Sequence, residues 1–307
     1  MAARHLCSIL DLSPDELARL LDDALAMKRD GAGPLLAGQT LALVFEKPSL
    51  RTRVSFDMAM QRLGGRALYM GPYEVGIGQR EPVRDVARVL SRMVHGIATR
   101  TYEQATVAEM AEWAAVPVIN ALSDGEHPCQ ALADLLTLRE RFGSLNGLRL
   151  AYLGEGNNVA RSLAYASMMA GIRFRCASPE GYELPAEVLA TASGLPGNGS
   201  VEQTNDPVAA VDGASAVYTD VWASMGQEQH LAHRVEAFRP YQLNAELLAA
   251  APADAIVMHD LPAHRGEEIT DDVIESARSV VFDQAENRMH AQQAVLVMLM
   301  GGAGRAG

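Results

Sequence analysis

Aromatic residues make up only 5% of this 307-residue chain. A core of that composition has to be aliphatic, built from Ala, Leu, Val and the 14 Met rather than from stacked rings. Cysteine is also scarce. Cys7, Cys129 and Cys176 share no close spacing, which argues against a Cys-based zinc site and a disulfide scaffold. A sparse, odd set fits a reducing compartment, so a cytoplasmic protein is expected. Basic residues are outnumbered, 26 Lys and Arg against 38 Asp and Glu, for a formal net charge of -12. Non-specific nucleic-acid binding needs clustered cations to displace counterions, and this balance speaks against it. It leaves room for an anionic small substrate, because a local basic pocket can sit inside an acidic protein. Long hydrophobic runs are missing too. The N-terminal MAARHLCSILDLSPDE lacks a signal-peptide core. The late apolar run from Ala294 to Met300 is far too short to span a bilayer, so no membrane association is expected.

What the chain does have is length for roughly two domains and 49% hydrophobic residues to fill them. Ser13-Pro14-Asp15-Glu16 opens a helix, with Ser13 as cap, Pro14 at the first helical position and Glu16 closing a capping box. Thr40–Phe45 reads as a buried strand, and a helix follows from about Val54 to Leu63. The alternation continues with strands at Arg66–Met70, Gly96–Arg100 and Pro117–Ala121. Helices lie at Pro82–Val94, with Val83, Val86, Val89, Leu90 and Met93 inward, and at Gln104–Ala115. It resumes with a strand at Leu148–Gly154, a helix at Val159–Ala170 and further strands at Arg173–Ser178, Ala214–Asp220, Ala255–Asp260 and Ser279–Phe282. Gly194–Ser200 reads as loop. Such alternation implies α/β architecture: two doubly wound parallel-sheet domains joined by interdomain helices. The first domain is expected over residues 1–135, with a C-terminal helix within 286–303 packing back on it. The second spans 148–285, and Arg139–Gly147 is the link.

Ligands of open parallel sheets bind beyond the carboxyl ends of the strands, so the segments after Phe45, Arg100, Ala121, Leu153, Asp220 and Met258 are expected to line a cleft. After the first strand comes Glu46-Lys47-Pro48-Ser49-Leu50-Arg51-Thr52-Arg53. Free backbone N–H groups at a helix start, two hydroxyls and an arginine fork together make a dianion site. Arginines that merely point into water there would oppose the helix dipole with nothing gained. His127-Pro128-Cys129-Gln130 opens another helix, where His127 can donate to a carbonyl oxygen and Gln130 can bond an amide; taken alone it reads better as a cap with a satisfied histidine. Arg100 ends an apolar strand, and alone reads as a surface charge. Asp220 at a strand end either holds a cation or caps the next helix. Gly154-Glu155-Gly156 lacks the third glycine of a dinucleotide fingerprint, and no Gly-Lys-Ser/Thr loop exists, so neither a nicotinamide cofactor nor ATP is expected.

Five segments together, Phe45–Phe56, His127–Gln130, Asp220–Gly226, His259–Gly266 and Phe282–His290, resemble the ornithine carbamoyltransferase family, in the family's order and over nearly the whole chain. The resemblance implies transfer of a carbamoyl group from carbamoyl phosphate to L-ornithine, giving L-citrulline and phosphate, with no metal or organic cofactor and a homotrimer or a multiple of one. It implies that Ser49, Leu50, Arg51 and Thr52 hold the phosphate. Arg100, His127, Pro128, Cys129, Gln130 and Arg288 hold the phosphate and carbamoyl parts, and Asn158, Asp220, Ser224 and Met225 the amino-acid end of ornithine. Asp260 and Leu261 would receive the carbamoyl amide and the attacking amine. Arg51, Arg100, His127 and Asp260 would be catalytic, the first three, with Thr52, stabilising the oxyanion of the tetrahedral intermediate.

Three positions depart from the family pattern. Leu50 stands where Thr is usual, Gly76 where a Gln is frequent, and Asp260 where Cys is usual. A carboxylate can accept a hydrogen bond from the amine or take its proton, but it also attracts the unreactive ammonium. Two rival readings follow. One is a carbamoyltransferase for another amine, such as putrescine or an acylated ornithine. The other is a non-catalytic paralogue that binds carbamoyl phosphate.

Overall fold

The computed structural model describes residues 3–78, 80–222 and 231–301; for 231–233 it describes backbone only. The chain divides into two compact units, Met1–Leu136 with Glu286–Gly307, and Thr137–Ala285.

The first unit carries strands β1 (Thr40–Phe45), β2 (Arg66–Met70), β3 (Gly96–Arg100) and β4 (Val118–Leu122). All pair in parallel, in the order β2-β1-β3-β4. Its helices are α1 (Pro14–Asp30), α2 (Leu50–Arg62), α3 (Pro72–Val75), α4 (Val83–Leu90) and α5 (Gln104–Trp113). α6 (Pro128–Phe142) starts in this unit and ends in the other. Every residue of β1 is buried, as a strand with neighbours on both edges and helices on both faces requires. Ala42, Val44, Ile97 and Val118 pack with Val83, Val86 and Leu90 of α4 in one core cluster.

The second unit has β5 (Arg149–Leu153), β6 (Arg173–Ala177), β7 (Ser200–Thr204), β8 (Ala216–Thr219) and β9 (Ile256–His259). Again all are parallel, in the order β7-β6-β5-β8-β9. Its helices are α7 (Asn158–Ala170), α8 (Ala186–Ser193), α9 (Pro207–Val211), α10 (Leu231–Phe238), α11 (Ala245–Ala249) and α12 (Asp271–Ile274). α13 (Val281–Met300) begins here and continues into the first unit.

Several details depart from the sequence reading. Ser279–Phe282 is not a strand: Ser279 makes one isolated bridge to Val257, and Val281 already begins α13. An apolar run at a buried helix start looks like a short strand when periodicity has too few residues to register. The polar stretch Ser200–Thr204 is a strand, hidden because edge strands need no continuous apolar pattern. α6 runs on to Phe142, through the first part of the expected linker, and stops at Gly143 with φ +75. Val89 and Met93 face outward, 49% and 72% exposed.

In each sheet the strand order reverses once, between β1 and β3 in the first and between β5 and β8 in the second. The crevice beyond the carboxyl ends at such a switch point is where open α/β sheets bind ligands. Phe45 is in register with Arg100, and Leu153 with Thr219. The polar segments after Phe45, Arg100, Leu153 and Thr219 therefore leave the sheets at these switch points, while those carrying His127 and Asp260 follow the edge strands β4 and β9.

Candidate active site

In the first unit the chain leaves β1 through Glu46–Ser49 and turns into α2. Ser49 is the N-cap. Its hydroxyl accepts from the Thr52 amide at 3.3 Å and donates to Thr52 Oγ1 at 3.0 Å. Arg288 of α13 donates from Nη2 to the same Thr52 oxygen at 2.6 Å, and both residues are buried. Buried arginine, hydroxyls and the uncapped amides of a helix start thus converge, the combination that binds phosphate. Arg51 is half-buried, whereas Leu50 is 74% exposed and contributes only backbone to the turn's interior. Arg53 turns away to stack on the Tyr69 ring, 4.1 Å from its centroid, so the turn closes on Arg51 rather than on both arginines.

Arg100, at the end of β3, and His127, ahead of α6, are buried. Burial pushes the His127 imidazole well below its ordinary pKa, and Arg288, Arg100 and Lys47 push it further. It is therefore neutral at physiological pH, able to donate to an oxygen without carrying charge. Lys47, absent from the sequence-based set, is part of the same cationic group. Half-buried, it lies 5.0 Å from the Tyr102 ring centroid, and burial with the nearby Arg100 lowers it to about 8. Pro128 opens α6, and Gln130 donates to Asp134 at 2.8 Å. Cys129 faces the carbonyl of Asn120, and burial pushes its thiol up to about 12. It is a packing residue with no available thiolate.

In the second unit, Asn157 caps α7. Its Oδ1 accepts from the Val159 and Ala160 amides, and its Nδ2 donates to Asp220 Oδ2 at 2.8 Å. The sequence reading chose Asn158, whose Oδ1 accepts from the Val159 amide; Asn157 is the one that reaches Asp220. Gly156 is demanded by packing: a Cβ there would lie 2.2 Å from the Leu184 nitrogen. That accounts for the Gly154–Gly156 pattern without a dinucleotide. Asp220 follows β8 and Asp260 follows β9, whose last residues, Thr219 and His259, are in register, so the two carboxylates come off adjacent strands. Burial raises Asp220 well above the carboxylate range, and the charge of Asp260 and the hydrogen bond to it raise it further. Ser224 and Met225 lie outside the described residues.

His259 is fully buried. Its Nε2 meets Glu268, itself fully buried, at 3.0 Å, and Asp260 Oδ1 lies 3.3 Å from Nδ1. Burial works against protonating the ring, but the hydrogen bonds to Asp260 and Glu268 win and hold it up at about 9. Leu261 adopts φ +59, and its amide donates to His259 Nδ1 at 2.9 Å. In the neutral ring the proton therefore sits on Nε2, facing Glu268. Among the described residues two donor sets could hold a cation, Asp220 with His259 and Asp260, and His264 with Glu267 and Glu268. In the first set both ring nitrogens are already engaged.

The arrangement is a cationic half in the first unit and an acidic half in the second, each at the carboxyl ends of its strands. Residues 4–140 match the family model described as aspartate/ornithine carbamoyltransferase, carbamoyl-P binding domain, and residues 146–299 the corresponding Asp/Orn binding domain. The chain belongs to the aspartate/ornithine carbamoyltransferase family. Among similar proteins, an ornithine carbamoyltransferase of Acidothermus cellulolyticus is 51% identical over 308 residues, 99% of each chain. One from Gloeobacter violaceus is 52% identical over 97% of this chain and 96% of its own length. The solved structure of the Pyrococcus furiosus ornithine carbamoyltransferase superposes with a TM-score of 0.92 at 48% identity, over 98% of each chain.

Proposed function

We propose that this member of the family transfers the carbamoyl group of carbamoyl phosphate to the δ-amine of L-ornithine, giving L-citrulline and phosphate. The observation that carries the reading is likeness over the whole chain, at about half the residues, to proteins named ornithine carbamoyltransferase. The first unit takes carbamoyl phosphate. Ser49, Leu50, Arg51 and Thr52 hold its phosphate, with Arg100, His127, Pro128, Cys129, Gln130 and Arg288 around the phosphate and carbamoyl parts. The second takes ornithine, with Asp220, Asn158, Ser224 and Met225 on its amino-acid end and Asp260 and Leu261 toward the reacting amine.

Chemically, the neutral δ-amine attacks the carbamoyl carbon, the C–N bond forms, and the carbonyl oxygen becomes negative. Fixed donors from Arg51, Thr52, Arg100 and neutral His127 stabilise that oxygen, each on the order of 3 kcal/mol. The C–O bond to phosphate breaks, phosphate departs with the electron pair, and the nitrogen gives up a proton. Asp260, in place of the usual Cys, accepts the amine's hydrogen bond.

An assembly of three copies or a multiple is part of this reading. It is supported by an exposed apolar stripe on α2, where Leu50, Val54 and Met58 are 74%, 49% and 37% exposed at one-turn spacing. A cytoplasmic location and a role in arginine metabolism complete it. They are supported by three free cysteines and by a relative from Pyrococcus furiosus named an anabolic ornithine carbamoyltransferase. No helix among the described residues is long and apolar enough to cross a membrane.

The test is a colorimetric ureido-product assay with carbamoyl phosphate and a panel of L-ornithine, putrescine and N-acetylornithine. Product is expected from ornithine alone. Product only from another amine, or none at any pH with carbamoyl phosphate still bound, refutes the assignment.

A further inference from the structure

The second sheet carries three arginines on one face, toward the amino ends of its strands. Arg149, Arg173 and Ser200 are the first residues of β5, β6 and β7 and stand in register, in one row. Ala151, Arg175 and Glu202 form the next row. Residues two apart along a strand share a face, so both rows look the same way. On that face Ala151 and Leu153 pack with Ala210 and Val211 of α9 in a core cluster. The packing stops at the small side chains Ala151 and Ala210. Beyond them opens a cleft of about 140 Å³, walled by the three arginines with Ser200, Glu202 and Asp212. The turns of the candidate active site leave the opposite, carboxyl ends of the strands, so this cleft is separate from them.

The charges in the cleft are not matched in pairs. Arg175 is committed: its Nε and Nη2 donate to Glu202 Oε2 at 3.1 and 3.0 Å, and its Nη1 to the Ala209 carbonyl at 2.7 Å. Arg149 and Arg173 are exposed and lie directly opposite each other across β5 and β6. Like charges in that position destabilise a sheet. Among the described residues neither forms an ion pair, with Asp212 or with any other acid. Arg149 is nevertheless seated. A Cβ on Gly213 would fall 2.4 Å from its Nη1, so the guanidinium lies against backbone where any other residue would put a side chain.

We propose that this cleft is a second anion site, which takes a phosphate-type oxyanion between Arg149 and Arg173 with the Ser200 hydroxyl as a further donor. Its volume sets the size of the ligand. Sites for drug-sized molecules run to ~300–1,000 Å³, so this one takes a single phosphate or phosphoryl group and not a nucleotide. Its donors set the type. An oxyanion with three or more oxygens accepts from both guanidinium forks at once and supplies the negative charge that the two arginines lack. It ties the first residues of β5 and β6 together and turns a like-charge repulsion into a bridge. The chain as a whole is acidic, with a formal net charge of -12, so attraction into the cleft is short-range and occupancy falls with salt. This assignment holds whichever amine is carbamoylated. Two sources share the chemistry, the free ion and the phosphoryl end of a small metabolite.

The experiment is phenylglyoxal labelling of the full-length protein, with each arginine followed by peptide mass spectrometry. It is run with inorganic phosphate, methyl phosphate or chloride at equal ionic strength. Phosphate is expected to slow the labelling of Arg149 and Arg173 together, along one saturation curve, and to leave the exposed Arg239 unchanged. Arg173→Gln is expected to raise the phosphate concentration for half-protection of Arg149 about tenfold, one charge-assisted contact discounted for its exposure. Arg51→Ala alters the anion turn of the first unit and is expected to leave protection in the cleft intact, which separates the two sites. Protection by phosphate alone identifies the free ion as the occupant, and protection by methyl phosphate as well identifies a phosphoryl end; both agree with the proposal. Equal protection by chloride means an adventitious ion only and overturns it. Unprotected labelling of Arg149 and Arg173 in the wild type overturns it without any variant. Protection of Arg149 that is unchanged in Arg173→Gln, or lost from the cleft in Arg51→Ala, overturns it as well.

Discussion

Each unit surrounds a buried histidine with charge at the carboxyl ends of its strands, and the two do so with opposite signs. In the first, burial drives the His127 pKa down and Arg288, Arg100 and Lys47 drive it further. In the second, Asp260, Glu268 and Asp220 act on His259 and hold it up at about 9 against its burial. The scaffolds are alike: parallel strands, short turns and helix starts. The difference lies in which side chains follow the strands. Like charges held together cost free energy that only a ligand of opposite sign relieves, so each half is built for its partner at some expense to the unliganded fold. The first would relieve its strain with a dianion, and the second with an ammonium.

If that division is real, substitutions in one half should leave the other substrate nearly untouched. The largest effect is expected at Arg100, buried at the end of β3. Arg100→Ala removes a donor to the developing oxyanion and should lower kcat/KM for carbamoyl phosphate about 1,000-fold. Steady-state kinetics that showed an equal loss of acceptor affinity would break the division. Next is Asp220→Asn, which removes the charge opposite the acceptor's ammonium while keeping the volume. A charge-assisted contact of on the order of 3 kcal/mol corresponds to a rise of about 100-fold in acceptor KM. Carbamoyl phosphate binding, followed by equilibrium titration, should be unchanged.

Lys47 gives a smaller and pH-dependent effect. Its amine is lowered to about 8, chiefly by burial and then by Arg100, so its charge is present below that pH and lost above it. The KM for carbamoyl phosphate should therefore climb on the alkaline side of about pH 8, by about tenfold at the plateau if one charge contact is lost. Lys47→Arg, which stays charged, should flatten that limb. Lys47→Met should show the raised KM at every pH. The chain has only one other lysine, Lys28, and it hydrogen-bonds Asn287 through Nζ at 2.9 Å. Differential amine labelling with and without inorganic phosphate thus reports Lys47 almost in isolation.

Much of this geometry was legible beforehand, for a physical reason. Alternating strands and helices with a short apolar period dictate parallel sheets, and parallel sheets dictate where polar loops gather. The positions after Phe45, Arg100 and Thr219 could be named from the strand list alone. What escaped was whatever depends on burial or on direction. Lys47 sits in the run read as an anion site, but spacing alone does not show that it is half-buried beside Arg100. Glu268 ends the run His264-Arg265-Gly266-Glu267-Glu268 and is fully buried, because its carboxylate is consumed by His259 and the His264 amide. Asn157 and Asn158 are indistinguishable in sequence. Only the cap geometry decides that Asn157 spans from the α7 amides to Asp220. Arg53 looked like a second phosphate ligand until Tyr69 supplied a ring for it to cover.

The smallest effect separates stability from site electrostatics within the first unit. Ser13 caps α1. Its hydroxyl accepts from the Glu16 amide at 3.3 Å, while Glu16 Oε2 accepts from the Ser13 amide at 3.0 Å. Hydrogen bonds from Arg4 and the Ser13 amide hold the Glu16 carboxyl down at about 2. A depressed carboxylate stabilises the fold above its ordinary pKa, and that contribution disappears as the pH falls through about 2. Because the Glu16 side chain is still 25% exposed and its partner Arg4 43%, screening reduces what the pair contributes as free energy. Ser13→Ala is therefore expected to cost mainly the cap, about 1 kcal/mol, or a drop in Tm of about 2–4 °C for a unit of this size. Ser13 makes its hydrogen bonds to Glu16 within its own helix start, so the KM for carbamoyl phosphate and its alkaline limb should not move. A cap variant that did shift the limb would mean that the cationic cluster is tuned by the rigidity of the whole unit and not by the charges placed beside Lys47. The contrast between the two histidines would then need a mechanical explanation in place of an electrostatic one.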